Sequence, residues 1–296
     1  MRILVTGSSG LIGSALVDSL QGLGHDVRRL VRRPPSRANE WRWDPTSREL
    51  DPRALDGVEA VIHLAGAAVS GRRWTAGYKR TVLDSRVDGT TTIAEAVART
   101  PGTVKVLLSA SAVGWYGERG DDLLTEDEPR GAGFLADVVE GWEAATSAAS
   151  DAGIRVVNLR TGIVLSAAGG ALGTVLPLFK LGLGGKLGDG HQWMPWIALP
   201  DEIAAIRFAV THDALSGPVN LAAPNPVRNV DYTHAVGRAV HRPTLLTVPR
   251  FALRAALPGF ADEGALVSQR VVPRKLLDAG FAFGLPDLDA ALSAVL

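Results

Sequence analysis

The sequence predicts an α/β fold in which helices cover both faces of a doubly wound parallel sheet, with a smaller lobe built from C-terminal segments. Three features support this prediction. A β-type run over residues 2–6 enters a glycine-rich turn and then a helical pattern. Nearly continuous apolar runs, typical of parallel strands buried on both faces, alternate with helical segments up to about residue 165. Beyond that point the pattern loosens into glycine-rich stretches and short elements.

The glycine-rich turn predicts a binding site for the pyrophosphate of a dinucleotide. Gly7 permits a backbone conformation closed to other residues, Gly10 lets a bound group approach the chain, and Gly13 lets the helix pack closely on the strand. The amides at the start of the helix lie at the positive end of its dipole, which favours an anion. A plain tight turn is the alternative, but the position directly after the first strand favours the binding site. The predicted contacts are Gly7, Ser9, Gly10, Leu11, Ile12 and Gly13.

This turn indicates a Rossmann-type, dinucleotide-binding domain. We expect it to span residues 1–165 and to be completed by about 201–223. Residues 166–200 and 224–296 are then expected to form the substrate-binding or C-terminal lobe, because glycine-rich loops with interleaved aromatic residues are typical of substrate sites at the carboxyl edge of such sheets. The alternative for these loops is a mobile surface segment with core tryptophans.

Two arginines predict that the cofactor is NADP (NADPH). Arg32 and Arg33 follow the second strand, 26–31, where an NAD site usually carries an acid and where arginine accommodates a 2′-phosphate. No acid stands at this strand end. The alternative is a solvated strand edge. Within the third strand, 59–66, His63 is expected to be a core histidine. The small residues at the end of that strand leave room for the cofactor, so the predicted contacts there are Leu64, Ala65 and Gly66.

Composition excludes several classes of function. Lysine plus arginine and aspartate plus glutamate number 31 each, so no overall field attracts nucleic acid or an anionic membrane. The chain has no cysteine, and its six histidines show no metal-binding spacing, so no metal site is expected. The amino terminus enters a strand without a signal-like segment, which predicts a cytoplasmic protein. The expected partner is a small-molecule substrate, and the expected state is a monomer or homodimer.

The spacing Thr6-Gly7-x-x-Gly10-x-x-Gly13 resembles that of the extended, epimerase-like branch of the short-chain dehydrogenase/reductase superfamily. The resemblance covers nearly the whole chain, and its further motifs are Trp41–Pro45, Arg72–Trp74 with Lys79, Ser85-Arg86, Ser111–Gly117, Arg160–Gly162, Pro195–Ile197 and Val272–Phe281. Together they are similar to atypical members of the NAD-dependent epimerase/dehydratase superfamily that carry a small family-specific C-terminal domain.

The resemblance implies roles for two further positions. The fourth strand, 104–108, runs into Ser109–Gly117, and Ser111 matches the serine that hydrogen-bonds the reacting oxygen in the extended branch. A serine that merely caps the strand is the alternative. Arg86 stands where the branch usually has the asparagine of Asn-Val-x-Gly-Thr, so we expect Arg86 beside the nicotinamide of the cofactor.

The catalytic Tyr-x-x-x-Lys pair of the superfamily is absent. In the helix expected at 134–143, its two places fall on Leu135 and Val139, which cannot move a proton. Tyr116 is the best candidate for a substitute acid, with a pKa expected near the ordinary value of about 10 because no lysine is its neighbour.

Two classes of function follow. The first is an NADP-binding, epimerase-like oxidoreductase that acts on an unidentified small or sugar-nucleotide-like substrate and uses Ser111 and Tyr116. The second is a catalytically weak or inactive NADP-binding sensor or regulatory protein, because a fold alone does not confer a reaction.

Overall fold

A computed structural model of the chain describes residues 1–70, 72–100 and 102–296. Its strands are β1 (Arg2–Thr6), β2 (Asp26–Val31), β3 (Glu40–Asp44), β4 (Glu49–Leu50), β5 (Ala60–His63), β6 (Val106–Ala112), β7 (Leu123–Leu124), β8 (Arg155–Thr161), β9 (Ile163–Leu165), β10 (Gly185–Leu187), β11 (Trp193–Met194), β12 (Trp196–Ala198), β13 (Gly217–Leu221), β14 (Val227–Arg228), β15 (Leu246–Val248) and β16 (Arg270–Val271).

The α-helices are α1 (Leu11–Gly22), α2 (Ala76–Ala98), α3 (Phe134–Ala144), α4 (Ser147–Asp151), α5 (Gly170–Lys180), α6 (Leu199–Thr211), α7 (Asn229–Ala239), α8 (Arg250–Ala256), α9 (Arg274–Asp278) and α10 (Leu288–Val295). Two 3₁₀ turns cover Pro52–Leu55 and Val113–Tyr116, and a π-helical turn covers Ala261–Ala265. No helix in the described part of the chain is long and apolar enough to cross a membrane.

One large sheet carries the fold, with the strand order β13-β8-β6-β5-β1-β2-β3-β4. Every neighbouring pair is parallel except β3 and β4, which are antiparallel. The order reverses on either side of β1, so the carboxyl ends of β1, β2 and β5 meet at one edge, where such sheets bind ligands. The predicted Rossmann-type fold is confirmed. The division into two lobes stays a prediction.

Helices bury apolar residues on both faces of this sheet. On one face, α1 and α6 pack on inward-facing residues of the strands, among them Ile3, Val5 and Leu108. On the other face, α2 and α4 cover Leu4, Val61 and other strand residues. A separate core joins α5, α7 and α10 around Trp196 and Leu172, and it lies beyond the carboxyl end of β8. Each face follows the two-residue alternation of the strands.

Three elements differ from the sequence-based interpretation. Residues 41–44, for which the sequence analysis gave no strand, belong to β3, in which Trp43 is buried against the ring of His63 while Arg42 stays exposed. The fourth predicted strand continues to Ala112, so Ser111 lies within a strand rather than after it. Helix α5 was not predicted, although it buries Leu172, Leu176 and Phe179 at helical spacing.

A hydroxyl and a histidine tie the ends of β1 and β5 together. The Thr6 hydroxyl accepts hydrogen bonds from the amides of Leu64 (3.1 Å) and Ala65 (3.2 Å) and donates to Nδ1 of His63 (2.8 Å). His63 is fully buried, and burial lowers its pKa to about 4, so the ring is neutral near pH 7. The prediction of a core histidine is confirmed.

Glu202 is a fully enclosed acid in α6. Its Oε1 accepts a hydrogen bond from Thr161 Oγ1 (2.9 Å), while its Oε2 has no partner among the described residues. Burial raises the pKa of Glu202 to about 8, because the charged form loses its hydration. The side chain is therefore mainly protonated in the folded protein at neutral pH.

Glu202→Gln is expected to remove a pH dependence of the free energy of unfolding. The pKa of Glu202 is raised in the folded state. Its stabilising contribution to the free energy of unfolding is therefore complete below pH 4.5 and is lost as the pH rises through about 8. The slope in that window is about 1.4 kcal/mol per pH unit. Urea denaturation of both proteins across the window should show wild type losing ~4 kcal/mol relative to the variant. The exposed Glu49→Gln is the control, and parallel curves for wild type and Glu202→Gln would contradict the assignment.

Candidate functional site

The turn between β1 and α1 uses its three glycines in two different ways. Gly7 has a φ of +64°, and a Cβ atom on it would lie 2.7 Å from the Leu64 carbonyl carbon. A Cβ atom on Gly13 would lie 2.2 Å from the Gly7 carbonyl oxygen. A Cβ atom on Gly10 would lie 3.3 Å from that same oxygen, its one near contact. The protein's own packing therefore requires Gly7 and Gly13 to be glycine, whereas Gly10 faces open space that a ligand can use.

The start of α1 offers free hydrogen-bond donors at this open space. Its first helical bond runs from Ser14 N to Gly10 O (2.9 Å), no side chain caps the helix, and its first turn contains no acid. Within the described part of the chain, the amides of Leu11, Ile12 and Gly13 have no hydrogen-bond partner. Three unpaired donors at a helix amino terminus, beside a glycine with open space, fit a pyrophosphate.

The other predicted contacts border the same turn. Leu64 and Ala65 are held to Thr6, and Gly66 follows directly. A Cβ atom on Gly66 would lie 3.5 Å from Cζ of Arg86, so the Arg86 guanidinium lies against the end of β5. Ser9 is exposed in the turn. The structure thus gathers these residues at one edge of the sheet, and their contacts with a cofactor stay predictions.

An acid does stand near the end of β2, contrary to the sequence-based statement. Glu40, from the start of β3, receives two hydrogen bonds from Arg33 (2.8 and 2.6 Å) and one from the Ser36 amide (2.8 Å). The hydrogen bonds from Arg33 lower the pKa of Glu40 to about 2. Arg33 is therefore occupied by a protein carboxylate, whereas Arg32 is exposed and forms no salt bridge within the described ranges.

The sequence interpretation missed Arg29 as part of this edge. Its Nε donates to Ser8 Oγ (2.9 Å) and its Nη2 to Ser8 O (3.0 Å), so a guanidinium lies directly beside the glycine-rich turn. The alternation of β2 could have revealed this, because Arg29 shares a face with Val27, which packs in the α1 core.

A buried ion pair surrounds Ser111. The Ser111 hydroxyl donates to Glu143 Oε1 (2.6 Å), and Arg160 donates to both oxygens of the same carboxylate from Nε (2.8 Å) and Nη2 (2.9 Å). The Arg160 guanidinium also lies 4.2 Å from the ring centre of Trp115. The two parallel hydrogen bonds from Arg160 fix the orientation of the Glu143 carboxylate. The sequence analysis did not identify Glu143 as part of this site; its partner Arg160 lies on β8.

Tyr116 faces the core rather than the predicted nicotinamide site. Its hydroxyl donates to Asn220 Oδ1 (2.7 Å) and accepts from Arg160 Nη1 (3.3 Å), and none of its surface is exposed. Burial raises the pKa of Tyr116 to about 12. The expectation of an accessible tyrosine with a pKa near 10 is therefore wrong. The 3₁₀ turn that follows β6 rotates this side chain into a small core with Leu124 and Val271.

Leu135 and Val139 lie beside the turn that follows Ser111. A Cβ atom on Gly114 would lie 3.3 Å from Leu135 Cβ and 3.7 Å from Val139 Cγ2. The two positions expected to correspond to the usual tyrosine and lysine thus make aliphatic contacts with this turn. The Leu135 amide donates to Glu263 Oε2 (2.8 Å), so a C-terminal segment holds the start of α3. No group of three histidine, aspartate or glutamate side chains able to hold a metal occurs in the ranges that the structure describes.

Comparison with known proteins gives the family. A sequence profile of the NAD dependent epimerase/dehydratase family matches residues 3–222, and a profile of a domain of unknown function (DUF1731) matches residues 248–295. The epimerase family protein MT2273 of Mycobacterium tuberculosis is 49% identical over 281 residues, which cover 95% of this chain and 93% of that protein.

Two crystal structures are similar over the whole chain. That of the human epimerase family protein SDR39U1 (isoform 2) with NADPH has a TM-score of 0.91 and 32% identity, and the match covers 100% of this chain and 99% of that chain. The structure of the nucleoside-diphosphate sugar epimerase from Corynebacterium glutamicum has a TM-score of 0.82 and 39% identity. The match covers 100% of this chain and 58% of that chain. The resemblance in the sequence motifs is confirmed, and the chain belongs to the NAD dependent epimerase/dehydratase family.

Proposed function

We propose that this protein is an NADPH-dependent oxidoreductase of the epimerase family that acts on a small molecule. The observation that carries the proposal is the open start of α1, where the amides of Leu11, Ile12 and Gly13 are unpaired above the space beside Gly10. The human relative SDR39U1, whose crystal structure contains NADPH, supports the choice of cofactor. Arg29 and Arg32 supply positive charge for a 2′-phosphate at the neighbouring strand end.

Bound NADPH supplies a hydride, and the residues of this chain orient the group that receives it. Ser111 is the proposed orienting residue. In the structure the Ser111 O–H donates to Glu143, so the hydroxyl oxygen can only accept a hydrogen bond from the substrate. If the hydroxyl rotates, its O–H can instead donate to a carbonyl oxygen of the substrate. The substrate is proposed to be small or similar to a sugar nucleotide, the latter supported by the name of the Corynebacterium relative.

A second candidate function is an NADPH-binding sensor. The specific observation is that Leu135 and Val139 pack where the proton-exchanging pair would lie, while Tyr116 is sealed in the core. A protein with this site keeps the cofactor cradle without the tyrosine–lysine pair that exchanges protons in the extended branch. The cytoplasmic location and the monomeric or homodimeric state stay predictions.

Gly10→Val is expected to abolish NADPH binding and leave the protein folded. The added side chain fills the space that the pyrophosphate needs, while its Cβ has one near protein contact, at 3.3 Å. Gly13→Ala is the matched control, because its Cβ would lie 2.2 Å from the Gly7 oxygen and should lower the melting temperature. Fluorescence titration with NADPH and thermal melting measure both effects. Wild-type affinity in Gly10→Val would show that the turn is purely structural.

NADPH is expected to bind more tightly than NADH by about 1–3 kcal/mol, through charge-assisted contacts with the 2′-phosphate. Arg32→Ala should remove most of this preference, whereas Arg33→Ala should remove less, because Arg33 is paired with Glu40. Dissociation constants of both nucleotides test this, with the exposed Arg37→Ala as control. Equal affinities of wild type for the two nucleotides would refute the proposed cofactor preference.

Ser111→Ala and Tyr116→Phe are expected to affect different properties. With any carbonyl compound that oxidises NADPH, Ser111→Ala should lower kcat at least about tenfold, because an orienting hydrogen bond is lost. Tyr116→Phe should leave kcat close to wild type and lower stability by about 1–2 kcal/mol, because Asn220 and Arg160 lose a buried partner. Unchanged turnover in Ser111→Ala would exclude its role. Tight NADPH binding without turnover across a panel of carbonyl compounds would favour the sensor.

A further inference from the structure

Arg86 carries a buried charge without a carboxylate partner. Only 8% of its surface is exposed, and it forms no salt bridge with the described residues. Its Nη1 donates to the carbonyl oxygens of Ala67 (3.0 Å) and Val82 (3.1 Å), and the guanidinium lies 4.7 Å from the ring centre of Trp142. A buried guanidinium is normally paired with an anion, because removing it from water is costly.

One edge of this guanidinium is free. Nη1 makes both hydrogen bonds described above, whereas Nε and Nη2 make none with the residues that the structure describes. The two N–H bonds on this edge are parallel and match the two oxygens of a carboxylate. Burial lowers the pKa of Arg86 to about 10, so the group is still cationic near pH 7.

The segment around Arg86 is basic in a chain that is neutral overall. Residues 66–86 contain five basic side chains and one acidic side chain. Arg72 and Arg73 are exposed, and Lys79 lies over the rings of Trp74 and Phe134. None of the five basic residues forms a salt bridge with the residues that the structure describes. Such a segment attracts an anion towards the buried guanidinium.

The location of Arg86 distinguishes this anion from the pyrophosphate. Arg86 packs on Trp142 of α3, and the next residue, Glu143, accepts the hydrogen bond from Ser111. The Arg86 guanidinium therefore lies between the end of β5 and α3, whereas the pyrophosphate is expected at the start of α1. Resting on the proposed function, we propose that the Nε–Nη2 edge of Arg86 binds the carboxylate of the substrate, so that the substrates are anionic carbonyl compounds.

Oxamate, a carboxylate next to a carbonyl, is a suitable probe, and its uncharged ethyl ester is the matched control ligand. Calorimetric titration of the wild-type complex with NADPH is expected to show saturable binding of oxamate and none of the ester. Arg86→Met should weaken oxamate binding at least about tenfold, the loss expected for hydrogen bonds to a charged group. Arg86→Lys should fall between the two, because it keeps the charge and loses the planar edge. Arg37→Met, which removes an exposed arginine outside this basic segment, should equal wild type.

The outcomes separate this proposal from the proposed function. Failure of wild type to bind NADPH would overturn the proposed function itself. With NADPH binding intact, no oxamate binding by wild type, or equal binding by wild type and Arg86→Met, would overturn the role of Arg86. If Arg86→Met binds NADPH more weakly but binds oxamate as well as wild type does, the Nε–Nη2 edge contacts a phosphate of the cofactor. That result would also overturn the proposed role of Arg86. If Arg86→Met does not fold, the oxamate affinities of Arg86→Lys and wild type are compared instead, and equal affinities would overturn the role of Arg86.

Discussion

The close approach of α1 to the preceding turn is the constraint on which the site depends. Backbone packs directly on backbone at Gly7 and Gly13, where a Cβ atom would lie 2.7 Å or less from a carbonyl group. The Thr6 hydroxyl adds hydrogen bonds to the end of β5. The unpaired amides of α1 and the residues after β5 are thereby fixed relative to one another before any ligand arrives. Such preorganisation reduces the entropy lost on binding.

A buried polar network extends this fixed region into the C-terminal part of the chain. Ser111 contacts Glu143, Glu143 pairs with Arg160, and Arg160 contacts the Tyr116 hydroxyl, which donates to Asn220. The Asn220 side chain in turn donates to the Val272 carbonyl, and Glu126 Oε1 accepts from the amides of Asn220 and Lys275. A buried ion pair is weak evidence for stability, but a fully bonded one defines a single arrangement. The C-terminal segments therefore influence the surroundings of Ser111.

The features that could be predicted from the sequence are local ones. The glycine spacing and the apolar runs predicted the turn and the main parallel strands, because the residues concerned are neighbours along the chain. Tyr116 was misplaced because its direction is set by a 3₁₀ turn that packs against Leu124 and Val271, far away in sequence. Glu40 was overlooked because it reaches Arg33 from the adjacent strand. The role of Glu143 was not predicted, because its partner Arg160 comes from β8, a separate strand.

The site contains buried guanidinium groups, and the sequence lacks the Tyr-x-x-x-Lys pair that exchanges protons in the extended branch. Two aliphatic side chains, Leu135 and Val139, lie beside the turn that follows Ser111. Two buried guanidinium groups lie nearby, Arg86 against Trp142 and Arg160 paired with Glu143. Guanidinium groups stay charged near neutral pH and exchange protons poorly, so they bind and orient anionic groups. Arg160 is neutralised by Glu143, and Arg86 is not. The unbalanced charge at Arg86 is the basis of the proposed preference for anionic ligands, and the hydroxyl of Ser111 is the group proposed to orient them.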